Sequence, residues 1–350
     1  MTQLRLISLA ESAPGPLWRD HFRRLWPAYR AWYTRDHHRR PTLAHCAAAL
    51  RRHMPELVPT HHALVSLTQD DPLAARMLSL WAPPPFMAGC SQAVWTRART
   101  PGPLIRNYEF SPDLFEGVLL RTDWTRPVLG MSDCLWGLLD GINDAGLCLA
   151  LAFGGRDALG EGFGITLALR YALETCTSTA AAAATLARLP IHMAYNVSIL
   201  DADADHAVVE LAPDRPARIR RDTVCTNHQS DQTHAPPRGA RSTHPPPVAD
   251  AAQQPASAFS TRYAALTATH ERDALLRALL DTPRLTQAAL LKRFLKPPLF
   301  SPDYSRGWGT LYTAAYHPHT RSLDLHWPSA PTLTQSIADF TPGTHQVPLV

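Results

Sequence analysis

The chain has 350 residues and a formal net charge of +4, from 34 Lys and Arg against 30 Asp and Glu. Its hydrophobic fraction of 45% is that of a globular protein with a sizeable core, in one large domain or two ordinary ones. The arginines are scattered and do not alternate with aromatic residues on a basic stretch, which argues against nucleic-acid binding. No uncharged run of 18 apolar residues occurs, so no membrane span is expected.

The six cysteines indicate a reducing compartment. None forms a C-x-x-C pair, and their spacing suggests no disulfide framework. The start of the chain has no charged segment followed by an apolar run, as a secretory signal would have. We therefore expect a soluble, cytoplasmic protein.

The first 80 residues are predicted to be mostly helical. Apolar residues at helical spacing predict three helices there, at about 17–33, 42–53 and 72–80. Pro83-Pro84-Pro85 then ends any helix and forces an extended approach to Cys90. A rigid lead of this kind suits a self-cleaving junction, and it equally suits an ordinary interdomain linker.

Short strands are predicted from Cys90 to Gly155. They lie at about 88–96, 104–110, 117–122, 128–131, 135–139 and 147–153. The last of them is nearly all apolar, as in a strand that is buried on both faces. A glycine-rich turn at 141–146 precedes it.

The second half of the chain alternates paired helices with strands. Helices are predicted at 163–176, 178–189, 258–281 and 285–295, and strands at 192–201, 207–211, 219–226, 308–317 and 322–327. The proline-rich stretch 228–255 is predicted to be a long irregular loop. This order favours an α+β fold in which two sheets pack face to face with helices outside.

Cys90 is the strongest candidate for a catalytic residue, because an arginine and a carboxylate, Arg106 and Glu109, follow it within one predicted hairpin. A tight turn at 100–103 sends the chain back, so Arg106 and Glu109 are expected on the strand paired with that of Cys90. An arginine lowers the pKa of a thiol, and a carboxylate orients a partner group. The same pattern also fits a buried structural cysteine beside a cross-strand ion pair of little energetic value.

The strings Gly89-Cys90-Ser91-Gln92 and Arg106-Asn107-Tyr108-Glu109 resemble the N-terminal-nucleophile hydrolases related to choloylglycine hydrolase, in the branch of the acyl-CoA:6-aminopenicillanic acid acyltransferases. The resemblance implies a four-layer αββα sandwich. It also implies self-cleavage between Gly89 and Cys90, with residues 1–89 as a mainly helical pro-segment (α-chain) and residues 90–350 as the catalytic domain (β-chain). The new α-amino group, with an ordinary pKa of about 7.7–8.0, would then serve the Cys90 thiol as its base.

Further strings match the same family in the same order. Asn196 is similar to the asparagine that donates to the oxyanion, and Arg262 to an arginine that reaches toward the nucleophile. Asn227 follows a threonine, as in the family, and is expected either to line the pocket or to shape a turn. Phe153 and Gly154, at the end of the buried strand, are expected to contribute to the substrate pocket.

The implied reaction is hydrolysis of a linear amide, or transfer of its acyl group, through an acyl-enzyme and without a cofactor. The substrate would be a small-molecule amide or an acyl-CoA thioester, and homo-oligomerisation stays open. Histidines such as His61-His62 complete no ligand spacing, so no metal is expected.

Two alternatives remain at this point. One is a papain-like Cys-His hydrolase that is never cleaved, with His206 or His228 as the base. The other is an inactive binding protein of the same fold. The second alternative is motivated by Glu109, where the family has aspartate, and by Ala152-Phe153, where bile-salt hydrolases have an asparagine.

Overall fold

The computed structural model describes residues 3–35, 40–97, 102–230, 256–304 and 307–349. The N-terminal part of the chain forms one strand and four helices. They are β1 (Gln3–Glu11), α1 (Pro16–Thr34), α2 (Leu43–His53), α3 (Val58–Leu67) and α4 (Pro72–Leu78). Within the described residues, no helix is long and apolar enough to cross a bilayer.

The rest of the described chain alternates strands with pairs of helices. The first strands are β2 (Gly89–Val94), β3 (Leu104–Phe110), β4 (Val118–Thr122), β5 (Val128–Asp133), β6 (Gly137–Asn143) and β7 (Cys148–Phe153). Then come α5 (Ile165–Thr175), α6 (Thr179–Arg188), β8 (Tyr195–Leu200), β9 (His206–Ala212), β10 (Arg215–Arg220) and β11 (Val224–Cys225). The last elements are α7 (Ala256–Thr267), α8 (Thr269–Asp281), α9 (Gln287–Phe294), β12 (Gly309–His317), β13 (Ser322–Trp327), β14 (Ala330–Ser336) and β15 (Gly343–Pro348).

The strands form two sheets that pack face to face. One sheet has the order β10-β9-β8-β7-β6-β5-β4-β1-β15, and the other has the order β11-β2-β3-β12-β13-β14. The sheets meet where β2 lies against β7 and β3 lies against β8. Helices α5 and α6 cover the outer face of the larger sheet, and α8 and α9 cover the smaller one. The fold is therefore an α+β four-layer αββα sandwich, which confirms the fold class expected from the sequence.

Local sequence signals explain several of these elements. The Thr42 and Ser178 side chains cap α2 and α6 by accepting hydrogen bonds from the amides of His45 and Ala181. Strand β7 is buried along its whole length between β6 and β8, as its apolar run predicts. The predicted helices and strands of the central region agree with the structure to within a few residues, and the limits of β3 are those predicted.

The prediction that residues 1–80 are mostly helical needs a correction. Strand β1 pairs in parallel with β4 and antiparallel with β15, so the start of the chain is part of the larger sheet. Its Leu4 and Leu6 are buried and alternate with exposed Arg5, a period of two that is visible in the sequence.

Three further elements were missed, and most of one predicted loop lies outside the described residues. The sequence analysis missed helix α3 and strands β14 and β15. These two strands are polar for most of their length and gain their pairing from β13 and β1. Of the loop predicted at 228–255, residues 231–255 lie outside the described residues.

Candidate active site

Strands β2 and β3 bring the predicted nucleophile next to the predicted arginine. Their antiparallel register pairs Cys90 with Tyr108 and places Arg106 opposite Gln92, two residues along from Cys90. The Arg106 Nη2 donates to the Cys90 Sγ at 3.3 Å. Both side chains are 0% exposed, so this contact lies in the interior between the two sheets.

Arg106 is fixed from the opposite sheet by Asp140 of β6. Its Nη1 donates to the Asp140 carboxylate and, at 2.9 Å, to the Leu139 carbonyl. The Tyr312 hydroxyl also donates to Asp140, at 2.7 Å, and the Tyr316 hydroxyl donates to its other oxygen. This carboxylate balances the Arg106 charge and sets the direction in which the guanidinium meets the thiol.

A second buried ion pair lies on the other side of Cys90. Arg272 of α8 donates through Nη1 to both oxygens of Glu109, at 2.8 and 3.0 Å. The same Nη1 lies 3.0 Å from Ser91 Oγ, and Nη2 lies 3.0 Å from Asn227 Oδ1. Arg272 and Glu109 are 1% and 4% exposed, so both charges depend on each other for solvation.

Asn227 holds the backbone on both sides of Gly89. Its Oδ1 accepts from the Cys90 amide N–H at 2.8 Å, and its Nδ2 donates to the Ala88 carbonyl at 3.0 Å. Tyr263 of α7 donates to the same carbonyl at 3.2 Å. The two peptide units around Gly89 are therefore fixed by side chains from distant parts of the chain.

Only glycine fits at position 89. A Cβ built there would lie 2.4 Å from Glu109 Oε2 and 2.9 Å from Glu109 Cβ, and it would approach the Trp308 ring to 3.2 Å. Such distances are far inside van der Waals contact, so the space beside this residue is filled by the predicted catalytic carboxylate.

Burial favours the neutral form of the Cys90 thiol. It raises the pKa of Cys90, while Arg106, through its charge and its hydrogen bond, lowers that pKa. Glu109 raises the thiol pKa further, and Arg272 opposes it. Burial also raises the pKa of Glu109 itself, against the charge of Arg272. These effects together favour the protonated thiol, so forming a thiolate here would require a nearby base.

Asn196 lies beside the site, but its amide group donates hydrogen bonds to other residues. Its Nδ2 donates to the carbonyls of Thr226 and His228, at 3.1 and 2.8 Å. It therefore fixes the segment that carries Asn227. Its Oδ1 is buried and has no partner among the described residues.

Arg262 lies outside the cluster. It is half-buried on α7, and none of the hydrogen bonds among the described residues joins it to Cys90, Glu109 or Asn227. Ala268 then takes a left-handed conformation with φ 48, and α8 begins in a new direction that brings Arg272 to the site. Arg272 makes the contacts that the sequence analysis expected of Arg262.

Phe153 and Gly154 border the Asn227 side chain. The Phe153 carbonyl accepts from Asn227 Nδ2 at 3.1 Å, and the Phe153 ring meets the Tyr263 ring edge-on at 4.9 Å. A Cβ at Gly154 would come within about 3.0 Å of the Ala194 backbone and of the Gln229 amide. This end of β7 therefore borders the cluster of residues around Cys90 and Asn227.

The sequence analysis missed Asp140, Arg272 and Tyr263. Asp140 carried a signal, because an acidic residue interrupts the apolar strand Gly137–Asn143, and such misfits are expected at functional sites. Arg272 had no local signal: it lies on a helix with several charged residues, and only the tertiary fold shows which of them points inward.

The described residues contain no group of three or more His, Cys, Asp or Glu arranged to hold a metal ion. The two histidines considered as alternative bases have other partners. His228 contacts Thr226 and Thr269 and packs against His270, and His206 contacts the Ala204 carbonyl.

The four-layer sandwich with this internal β2–β3 pair agrees with the architecture that the resemblance in the sequence implied. Residues 95–331 match the sequence profile of the family described as acyl-coenzyme A:6-aminopenicillanic acid acyl-transferase, and the chain belongs to that family. The protein is accordingly a linear-amide hydrolase or an acyltransferase. The matched region begins one residue beyond β2, the strand that carries Cys90.

Solved structures resemble the chain at low identity. A mutant conjugated bile acid hydrolase from Clostridium perfringens is 14% identical over 73% of this chain and 96% of that one, with a TM-score of 0.43. The Caenorhabditis elegans ortholog of N-acylethanolamine-hydrolyzing acid amidase is 13% identical over 74% and 100%, with a TM-score of 0.41. Penicillin V acylase from Agrobacterium tumefaciens is 13% identical over 75% and 84%, with a TM-score of 0.35. No curated protein matches the chain in sequence.

Proposed function

We propose that this chain is a precursor that cleaves itself between Gly89 and Cys90 and then acts as an N-terminal cysteine hydrolase or acyltransferase. The observation that carries the proposal is the Asn227 side chain, which accepts from the Cys90 amide and donates to the Ala88 carbonyl. Ordinary buried cysteines do not need side chains from a distant segment to fix the peptide units on both sides of the preceding residue.

Cleavage would begin at the sulfur of Cys90. The sulfur attacks the Gly89 carbonyl carbon, the C–N bond to Cys90 breaks, and the thiol proton passes to the departing nitrogen. The product is a thioester between Gly89 and the Cys90 sulfur, with a free α-amino group on Cys90. Water then hydrolyses the thioester, which leaves a carboxylate on Gly89 and restores the thiol.

The new amino group supplies the base that the buried thiol lacks. In the uncut chain the same nitrogen donates to Asn227 Oδ1 at 2.8 Å, and that oxygen can hold the amine after cleavage. Glu109 pairs across the strands with Gly89 and is positioned to orient the amine. Arg106 favours the thiolate through its 3.3 Å contact with the sulfur.

Asn227 is also placed to stabilise the oxyanion. Its Nδ2 now donates to the Ala88 carbonyl, and this donor becomes free for a substrate carbonyl when the cut end withdraws. Removing a donor of this kind typically costs about 2.7–4 kcal/mol of barrier. Asn196, which the sequence analysis assigned to that role, would instead position Asn227 through its bonds to Thr226 and His228.

The substrate would take the space that the end of the pro-segment fills before cleavage. Residues 83–88 have no regular secondary structure and lead into the strand of Cys90, which is 0% exposed. The Phe86 carbonyl and the Ala88 carbonyl accept from Tyr195 and Tyr263. Withdrawal of this segment opens a site walled by Phe153 and Gly154, suited to the acyl part of a small linear amide or an acyl-CoA thioester.

The two chains, 1–89 and 90–350, would stay together after cleavage, because β1 lies between β4 and β15 in the larger sheet. The cytoplasmic location and a homo-oligomeric state stay predictions. A Cys-His mechanism has less support, because the thiol contacts Arg106 and the His228 side chain contacts Thr226 and Thr269.

The proposal is tested by denaturing electrophoresis and intact mass of the purified protein. We expect two pieces, ending at Gly89 and beginning at Cys90. The Cys90→Ala variant should remain one piece, whereas Cys176→Ala, which removes a buried cysteine at the end of α5, should be cleaved normally. An uncut wild-type chain that turns over amides would refute the mechanism.

A further inference from the structure

A second concave site lies apart from the Cys90 cluster. A cleft of about 670 Å³ is bounded by α2, by the end of α6 and by the turn between β9 and β10. Cys90, Arg106, Glu109 and Asn227 are not among its lining residues. A volume of this size suits a whole small organic molecule.

The charged side chains around this cleft are mainly cationic. Three arginines and two histidines line it against one carboxylate, that of Glu161. The arginines are Arg52, Arg188 and Arg215, and the histidines are His45 and His53. The pKa of His53 is lowered by burial first and then by the charges of Arg52 and Arg188, so the two guanidinium groups act on one region of the cleft. A positive potential in a concave site favours an anion.

The cleft also contains a buried hydrogen-bond donor without an acceptor. Trp81 lines the cleft and is 5% exposed, and its indole Nε1 has no hydrogen-bond partner among the described residues. The Trp81 ring stacks on His53 at 6.2 Å and meets Phe163 edge-on at 4.8 Å, so it is held in place. Unpaired buried donors are rare and often mark a place where a ligand or water binds.

We propose that this cleft binds a small organic anion that carries two or more phosphate groups. Guanidinium groups pair with phosphate oxygens through parallel N–H donors. The three arginines exceed the lining carboxylate of Glu161 in charge, and they still exceed it when Glu210, which lies 3.9 Å from Arg215, is counted as well. The volume left beyond a diphosphate takes the organic part of the ligand. The inference does not depend on cleavage at Cys90.

The position of the cleft gives the ligand a structural consequence. Arg52 and Trp81 precede Cys90 in the chain, whereas Arg188 and Arg215 follow it. In a cleaved protein the bound anion would therefore contact both pieces and stabilise their association.

The proposal is tested by isothermal titration of the full-length protein with adenosine diphosphate, inorganic pyrophosphate and adenosine at low salt. We expect adenosine diphosphate to bind more tightly than pyrophosphate, and adenosine not to bind. Arg52→Gln should weaken the diphosphate by about three- to fivefold, as for an exposed ion pair. The matched control is Arg51→Gln, an exposed neighbour that does not line the cleft, and it should bind as the wild type does.

Two further variants separate binding at the cleft from cleavage at Cys90. Trp81→Phe keeps a ring but removes the N–H, and it should also weaken binding. Cys90→Ala should bind like the wild type, so a failure of cleavage and a failure of this site are seen separately. No heat from either diphosphate, equal effects of Arg51→Gln and Arg52→Gln, or pyrophosphate binding as tightly as the nucleotide would overturn the proposal.

Discussion

Cys90 lies between two buried ion pairs of opposite orientation. Arg106 faces the sulfur and is balanced by Asp140, whereas Glu109 faces the preceding glycine and is balanced by Arg272. Each charge would be costly alone in the interior, and each has a partner and further hydrogen bonds. The arrangement places a cation at the sulfur and a carboxylate near the Gly89–Cys90 bond, without a net buried charge.

The fit of Gly89 against Glu109 gives the first prediction. Gly89→Ala should block cleavage, because the added Cβ would overlap Glu109 Oε2 and displace the scissile peptide. Electrophoresis of freshly purified protein should show mainly the intact chain. Gly343→Ala is the control, since a Cβ there would meet nothing closer than 3.8 Å. Normal processing of Gly89→Ala would show that the clash has no part in the reaction.

The contact between Arg106 and the sulfur gives the second prediction. Arg106 lowers the pKa of the Cys90 thiol, so its removal should shift the rate of iodoacetamide labelling to higher pH. The double variant Arg106→Gln/Asp140→Asn removes both partners of the buried pair and leaves no lone charge inside.

Its control removes an exposed pair in the same way. Arg126→Gln/Asp144→Asn takes away partners that are 28% and 43% exposed, and the labelling profile should not move. An unchanged profile in the buried double variant, with native circular dichroism, would mean that Arg106 does not tune the thiol.

Among the elements, strand β1 joins residues 1–89 to the rest of the chain. It lies inside the larger sheet, hydrogen-bonded to β4 on one side and to β15 on the other. An inner strand cannot leave without exposing two rows of backbone hydrogen-bonding groups. The proposed cleavage at Gly89 would therefore not need to release the N-terminal piece, although it would free the end next to Cys90.

Leu6 of β1 gives the third prediction. Leu6→Ala should lower the free energy of unfolding by about 2–5 kcal/mol, because it leaves a cavity behind a fully buried side chain. Urea unfolding measures this, and native gel filtration should show earlier loss of the N-terminal piece. Arg5→Ala, at the exposed neighbour on the other face, should change little. Equal stability of the two variants would refute the role of β1.

The local sequence pattern predicted the strands that carry Cys90 and Arg106. It did not predict elements and residues whose placement depends on pairing with distant parts of the chain. Strand β3 with Arg106 and Glu109 was predictable, because its composition and the preceding turn determine it. Strands β14 and β15 were not, because polar residues form them only through pairing with β13 and β1. The same reason explains Arg272, whose part in the site depends on how α8 packs on β2.

At the scale of the whole molecule, α1 is attached to the larger sheet by a buried acidic cluster. The Tyr29 hydroxyl donates to Glu116 and, at 2.9 Å, to Asp133, and His21 lies 3.2 Å from Glu116. Burial, and then the charge of Glu116, raise the pKa of Asp133 to about 7. The fold therefore favours the protonated form of Asp133, and raising the pH works against it.

This cluster gives the fourth prediction. Below pH 3.8, the ordinary pKa of an aspartate, the Asp133 carboxyl is protonated in both the folded and the unfolded states. Between pH 3.8 and about 7, it is protonated only in the folded state. The Asp133 contribution should thus lower stability as pH rises through that window, and level off above it.

Asp133→Asn should remove that part of the slope in urea unfolding between pH 5 and pH 8. Asp144→Asn, at a partly exposed carboxyl, serves as the control and should keep the slope of the wild type. A slope that is identical in Asp133→Asn and the wild type would contradict the assignment.

In the mechanism proposed above, the reactive sulfur belongs to the first residue of its own chain. The most direct test labels active protein with iodoacetamide, digests it, and identifies the labelled peptide by mass spectrometry. We expect a peptide that begins at labelled Cys90 and carries a free α-amino group. A labelled peptide in which Cys90 is still joined to Gly89, recovered from fully active protein, would contradict the mechanism.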